Sequence, residues 1–181
     1  MRNFEYSAVR LVWLWSLLTW AIVAPSKSSA LEALYVGGQL GHVALSGDPA
    51  GVYSNSLGFG GDIGFRTNSY VDMVISLMTS SHAGPGDLSI LAPTLSADVH
   101  VGRAYDFDFT LGLGPGFYSF KSGGLSDTKF GLNFGGAVDV LVDDNIRVGL
   151  GSRYHLAMGS SGISGNFWTV TMRVGYLFTM E

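Results

Sequence analysis

The feature that most constrains this chain is an alternation of apolar residues with small or polar residues, which recurs from residue 33 to residue 178. A period of two places successive side chains on opposite faces of a β-strand. Eight segments follow this pattern, at residues 33–45, 56–67, 70–80, 88–102, 106–120, 128–142, 145–158 and 166–178. The sequence therefore predicts an all-β domain of eight antiparallel strands.

The two faces of these segments differ in both charge and size. In one segment, for example, Phe107, Phe109 and Leu111 alternate with Asp108 and Thr110. The apolar face carries no charge, and many positions on the opposite face are glycine. Five acidic and five basic side chains lie on that opposite face, namely Asp62, Asp72, Asp98, Asp108, Asp139, Arg66, Lys129, Arg147, Arg153 and Arg173.

Alternation alone fits both a soluble sandwich and a membrane barrel, but the connections, the glycines and the aromatic residues favour the barrel. Short turns are predicted at 67–70, 102–106 and 142–145, and longer loops at 46–55, 81–87, 121–127 and 159–165. Short turns on one rim, long loops on the other and aromatic residues near strand ends are typical of outer-membrane barrels. Small residues suit a narrow interior. The predicted fold is a closed, antiparallel, eight-stranded transmembrane β-barrel.

Residues 1–30 have the layout of a cleaved secretory signal peptide. Arg2 and Arg10 flank a polar start, residues 11–24 are mostly apolar, and small residues precede a predicted cut after Ala30. This apolar run is shorter than the roughly 20 residues that a membrane-spanning helix needs. An uncleaved anchor is the alternative. Cleavage would leave residues 31–181 as the barrel domain.

Several segments resemble small outer-membrane β-barrels, the family that includes the OmpA barrel, OmpX and OmpW. Residues 34–41 resemble their first strand, 59–72 their first periplasmic hairpin, and 132–139 with 144–155 their sixth and seventh strands. The resemblance implies export through the periplasm to the cell outer membrane, contact with outer-membrane lipid and lipopolysaccharide, and a monomer.

The last predicted strand is similar to the C-terminal signal that the barrel-assembly machinery reads in this family. Val174, Tyr176 and Phe178 stand at alternate positions, and three residues follow the final aromatic. The resemblance implies that this machinery is a partner during assembly.

The charged side chains of the predicted lumen allow two functions. Side chains can fill an eight-stranded interior, and an unpaired buried charge is costly, so equal numbers of each sign favour a plug of ion pairs. A plugged barrel implies a structural or surface-interaction role. The alternative is a narrow channel for small or hydrophobic solutes, as the OmpW resemblance permits. Pro93 and Pro115 predict bulges or strand ends near the loop rim, and a place for lateral opening.

A lipid A-modifying enzyme is the third hypothesis. The lipid A deacylase type carries a His-x-Ser stretch on a late strand, and Arg153 and His155 begin similarly. Ala157 stands where the nucleophilic serine is expected, so the sequence predicts no enzyme and no catalytic residue. Ser160 or Ser161 could replace that serine only with a different geometry.

Other ligands have little support in the sequence. The loop residues Asp48, His82, Asp87 and Asp127 lie far apart and show no metal-ligand spacing, and the chain has no cysteine. We therefore expect no metal and no other cofactor. The formal net charge of −4 gives no basic footprint, so nucleic acid is not an expected partner.

Overall fold

The chain forms a closed barrel of eight antiparallel strands, in a computed structural model that describes residues 33–68, 70–159 and 165–179. The strands are β1 (Ala33–Ser46), β2 (Ser56–Asn68), β3 (Val71–His82), β4 (Leu88–Ala104), β5 (Phe107–Ser122), β6 (Leu125–Asp143), β7 (Ile146–Ala157) and β8 (Asn166–Thr179). The predicted fold is confirmed. The predicted signal peptide at 1–30 lies outside the described residues and stays a prediction.

Closure is made by the first and last strands. Their ladder runs without a register shift from Ala33 opposite Thr179 to Ser46 opposite Asn166. Each remaining strand pairs with its neighbours in the chain. Because the sheet has no open edge, its backbone groups can be paired within the protein, which the interior of a membrane requires.

The outer surface of the barrel is apolar. Leu40, Leu111 and Met172 are 58%, 58% and 65% exposed, and large apolar or aromatic side chains surround them on all eight strands. A continuous apolar surface of this extent is unfavourable in water, and it suits the hydrocarbon of a membrane. Within the described residues, no helix has the length and apolarity needed to cross a membrane.

One rim, which we call the short-turn end, carries the connections at residues 69–70, 105–106 and 144–145. Three of its ladders contain a register shift, between Arg66 and Asn68, His100 and Gly102, and Leu141 and Asp143. Short turns mark the periplasmic rim of an outer-membrane barrel. The opposite rim, the loop end, carries a 3-10 helix over Asp48–Gly51 in the connection between β1 and β2.

The predicted bulges or strand ends at Pro93 and Pro115 are wrong. Both prolines lie inside strands, and the β4–β5 register is the same on either side of them. Their rings face outward and are exposed. Proline removes its own backbone donor without needing an extra residue in the strand, so the register survives.

The predicted long loop at 121–127 is also wrong. β5 continues to Ser122 and β6 begins opposite it at Leu125, which leaves a two-residue turn. Gly123 and Gly124 fill this turn with φ values of 56° and 84°. Two consecutive positive φ angles are typical of the tight hairpin turn that glycine favours. The ladder therefore extends over residues that the sequence assigned to a loop.

The orientation of the two faces predicts the effect of a charge on the exterior. Leu111→Arg places a cation on the lipid-facing surface, and we expect it to lower the free energy of unfolding by about 2–4 kcal/mol. Ser89→Arg is the control, because Ser89 is exposed at the loop end, where the expected cost is about 0–1 kcal/mol. Urea titration of refolded protein in lipid vesicles measures both. Equal costs would contradict the inside-out assignment.

Candidate functional site in the lumen

An ion-pair cluster occupies the lumen near the short-turn end. Arg66 donates two hydrogen bonds to Asp72, at 2.9 Å from Nε and 3.2 Å from Nη2. The ring of His100 lies between two carboxylates, with Nε2 3.1 Å from Asp72 and Nδ1 2.9 Å from Asp108. The register explains this meeting, because Arg66 stands opposite Asp72, and Asp72 stands opposite Asp98, which lies two residues before His100 in β4.

Asp139 joins two further arginines to this cluster. Arg173 donates to its Oδ2 at 2.8 Å. Arg147 lies among three carboxylates, 3.6 Å from Asp139, 3.7 Å from Asp108 and 3.9 Å from Asp72, and its guanidinium also lies over the ring of Tyr35.

A second ion pair lies near the middle of the lumen. Arg153 donates to both oxygens of Asp98 at 2.7 and 2.6 Å and to the side chain of Asn133 at 2.7 Å. Ser96 donates to the same carboxylate at 2.8 Å. Gly112 leaves room for this pair, since a Cβ there would meet both Asp98 and Arg153. This is one physical reason for glycine on the charged face.

The structure thus brings eight of the ten predicted lumen charges into ion pairs in the short-turn half and the middle of the barrel. Asp62 is buried but is held by the neutral side chains of Gln39 and Ser76. Lys129 lies apart, near the loop end, with Asp127 at 3.5 Å. Asp127 belongs to β6 and not to the predicted loop.

The loop end of the lumen is filled by apolar side chains, which the sequence analysis missed. We call this cluster the apolar plug. It consists of Val43, Leu45, Met78, Leu88, Ile90, Ala92, Tyr118, Phe120 and Phe167. Leu88, Tyr118 and Phe120 have no exposed surface. Residues 88–92 could have indicated the plug, because apolar residues occur there on both faces of one strand.

Hydrogen bonds connect the first loop to strands next to the plug. Tyr53, in the first loop, shares a hydrogen bond of 2.8 Å with the hydroxyl of Ser122. The ring of His82 lies 2.8 Å from the carbonyl of Ser54 and 3.0 Å from the hydroxyl of Ser80. The first loop is therefore tied to β3 and β5 across the mouth of the barrel.

His155 does not have the surroundings of a catalytic base in the described part of the chain. It is buried, stacks on Phe167 with ring centres 4.4 Å apart, and lies 3.3 Å from the hydroxyl of Tyr118 and 3.4 Å from that of Thr169. None of these partners is a serine. Ser160 and Ser161, the substitutes considered from sequence, lie outside the described residues.

The three residues of the predicted assembly signal are on the outer face of β8. Val174, Tyr176 and Phe178 are each about half exposed, and the two aromatic rings lie 4.7 Å apart. They form an apolar stripe toward the short-turn end. This position suits recognition from the membrane, while the recognition itself stays a prediction.

The described part of the lumen contains cavities in both its middle and its short-turn end. One of about 30 Å³ lies between the ion pairs and the apolar plug, and another of about 180 Å³ opens at the short-turn end. The first corresponds to the volume that about one water molecule occupies in the liquid. Over the residues that the structure covers, no three His, Asp or Glu side chains are arranged to hold a metal ion.

Solved structures with the same architecture are outer-membrane proteins. Neisserial surface protein A aligns with a TM-score of 0.69 and 17% identity over 80% of this chain and 97% of its own. OprG from Pseudomonas aeruginosa gives 0.60 and 14% over 84% and 99%. Ail, the attachment invasion locus protein of Yersinia pestis, gives 0.54 and 17% over 82% and 100%.

The fold is that of a small outer-membrane β-barrel. The apolar exterior and the enclosed charges agree with that architecture, and the predicted outer-membrane location follows from the two together. No protein-family model and no curated protein matches the sequence. The fold is thus shared at an identity too low to transfer a function.

The Asp98–Arg153 pair generates a prediction about stability. Arg153→Met should lower the free energy of unfolding by about 3–5 kcal/mol, because it leaves the carboxylate of Asp98 buried without its cation. Adding Asp98→Asn should recover much of this loss. Arg103→Gln is the control, since that side chain is 65% exposed and should contribute less than about 1 kcal/mol. Urea unfolding is measured for the unmodified protein, for Arg153→Met, for Asp98→Asn, for their combination and for the control. Additive losses in the double variant would show that the two groups are not coupled.

Proposed function

We propose that this protein is a non-conducting barrel of the outer membrane with a structural or surface-interaction role. The observation that carries the proposal is the apolar plug, which lies between the ion pairs and the loop end of the lumen. Leu88, Tyr118 and Phe120 have no solvent-exposed surface. An ion crossing this region would lose its water against a largely apolar lining, which is a large electrostatic barrier.

The ion pairs support the same function from the other half of the lumen. Arg153 and Arg173 each lie within 2.8 Å of a buried carboxylate, so moving either side chain would leave an unpaired buried charge. A channel lining normally keeps some charges hydrated. Here the charges neutralise one another and support the barrel wall from within.

The names of two proteins with this fold favour a role at the cell surface. One is a Neisserial surface protein, and another is an attachment invasion locus protein. We infer that the loop end of this barrel contacts lipopolysaccharide or a partner, and that the apolar exterior contacts lipid. We also infer that the stripe of Val174, Tyr176 and Phe178 is read by the barrel-assembly machinery.

Planar-bilayer recording of refolded protein tests the plug. We expect no stepwise conductance from residues 31–181, once a heat-modifiable shift in gel mobility confirms folding. The double variant Ile90→Gly/Phe120→Gly removes two side chains of the plug, and it should show measurable current if the plug is the barrier. The matched control Leu91→Gly/Phe117→Gly removes outward-facing side chains of the same two strands and should stay silent. Steady channels in the unmodified protein would contradict the proposal.

One observation favours the alternative of a lateral route for hydrophobic solutes. Between β4 and β5, Thr94 pairs with Gly116, but residues 92–93 and 95–96 on β4 have no ladder partner. Pro93 and Pro115 cause this interruption, because each lacks the N–H that would bond across the seam. The seam therefore has two donors fewer than a regular ladder, in a wall where membrane lipid offers no replacement.

Restoring the two donors distinguishes the alternative from the plugged barrel. Pro93→Val/Pro115→Val should stabilise the barrel by about 1 kcal/mol per restored hydrogen bond and slow amide hydrogen exchange at Thr94 and Gly116. If the seam is a route, the same variant should reduce uptake of a fluorescent apolar dye by cells that carry the protein. Leu91→Val, a change on the same face that restores no donor, is the control. Unchanged uptake would leave the plugged, structural role.

A further inference from the structure

We propose that the cavity at the short-turn end binds a zwitterionic group, with a phosphate and a primary ammonium a few atoms apart. Phosphoethanolamine, as a free compound or as the headgroup of a phospholipid, has this chemistry. The cavity measures about 180 Å³, roughly the volume share of six water molecules. It opens at the rim that faces the periplasm in an outer-membrane barrel.

The guanidinium of Arg147 is held by long ion pairs and makes no short hydrogen bond to any described residue. The side chain of Arg147 lines the cavity and is only 8% exposed. Its three carboxylate neighbours lie 3.6–3.9 Å away, which is beyond hydrogen-bond distance. A guanidinium offers five N–H donors in a fixed plane and is suited to a phosphate. Acceptor atoms placed in the adjoining cavity would give this guanidinium the short hydrogen bonds that its carboxylate neighbours do not supply.

The cavity is lined by equal numbers of basic and acidic side chains. Arg66, Arg103 and Arg147 line it together with Asp106, Asp108 and Asp139. A bare anion would gain from the arginines but would be repelled by the carboxylates. A group that carries its own cation avoids this conflict, since its phosphate can approach the arginines while its ammonium approaches an aspartate. The mixed lining therefore favours a zwitterion over a simple anion.

The rim of the cavity carries an aromatic ring and a carboxylate side by side. Tyr105 and Asp106 form the β4–β5 turn, and both line the cavity and are exposed. Tyr105 adopts a φ of 57°, and its side chain is almost fully exposed. A bulky residue is uncommon in this left-handed conformation, and glycine would adopt it at lower cost. At this position an aromatic ring and a carboxylate can both contact an ammonium group at the mouth.

Calorimetric titration of refolded protein in a maltoside detergent tests the proposal. We expect one-site binding of O-phosphoethanolamine at least about tenfold tighter than binding of inorganic phosphate or ethanolamine alone, a difference of about 1.4 kcal/mol. Equal affinity for phosphate alone would overturn the zwitterion assignment. Absence of binding by all three compounds would overturn the site.

Two variants keep the test independent of folding defects. Arg103→Gln removes an exposed cation of the lining and should weaken binding about tenfold. Tyr105→Gly relieves the positive φ, so the barrel should fold at least as well, and loss of the ring should weaken binding about threefold. Lys121→Gln removes an exposed cation at the loop end and is the matched control, with no expected change. Equal affinities for Arg103→Gln and Lys121→Gln would overturn the proposal.

Nanodiscs distinguish the two sources of the ligand. If the headgroup of a neighbouring lipid occupies the cavity, free O-phosphoethanolamine should bind more weakly in discs with phosphatidylethanolamine than in discs of phosphatidylglycerol alone. Equal binding in both would identify a free solute as the ligand. None of these results depends on conductance, so this site and the plugged-barrel function stand or fall separately.

Discussion

The structure depends on the need to pair every backbone polar group inside a membrane. Hydrocarbon offers no donor or acceptor, and each unpaired group costs several kcal/mol. The pairing of β8 with β1 meets this need, because it removes the two edges that eight strands would otherwise leave. The β4–β5 seam is an exception, where Pro93 and Pro115 remove two donors. If the alternative of a lateral route is correct, this seam is where the barrel would open.

Closure creates a narrow interior, and the side chains there decide what the barrel can do. Near the short-turn end the lumen is polar, and carboxylates neutralise the arginines among them. Near the loop end the lumen contains the apolar plug. A barrel divided in this way resists ion flow at one end and keeps a small polar cavity at the other. The proposed surface role and the proposed ligand site therefore belong to opposite rims.

The sequence could predict which side chains share the lumen, because the faces of a strand follow directly from a period of two. It could not predict their partners. Asp98 and Arg153 are 55 residues apart and meet across the barrel. Asp62 is held by neutral groups, and Lys129 lies near the other rim. The apolar plug was missed because its members follow the same parity as the charged residues, so only their height in the barrel separates them.

The sequence by itself determined the strand number, the two faces and the apolar exterior, since these depend on local alternation and on the solvent that each face meets. The residues that favour a tight turn are also visible in the sequence. The two-glycine turn was nevertheless predicted as part of a longer loop, because the length of a strand depends on its pairing with a neighbouring strand. Only the tertiary structure decided the register, the ion-pair partners, the apolar plug and the position of Arg147 beside the cavity. These features depend on contacts between residues distant in the chain, whose distances are set only when the barrel closes.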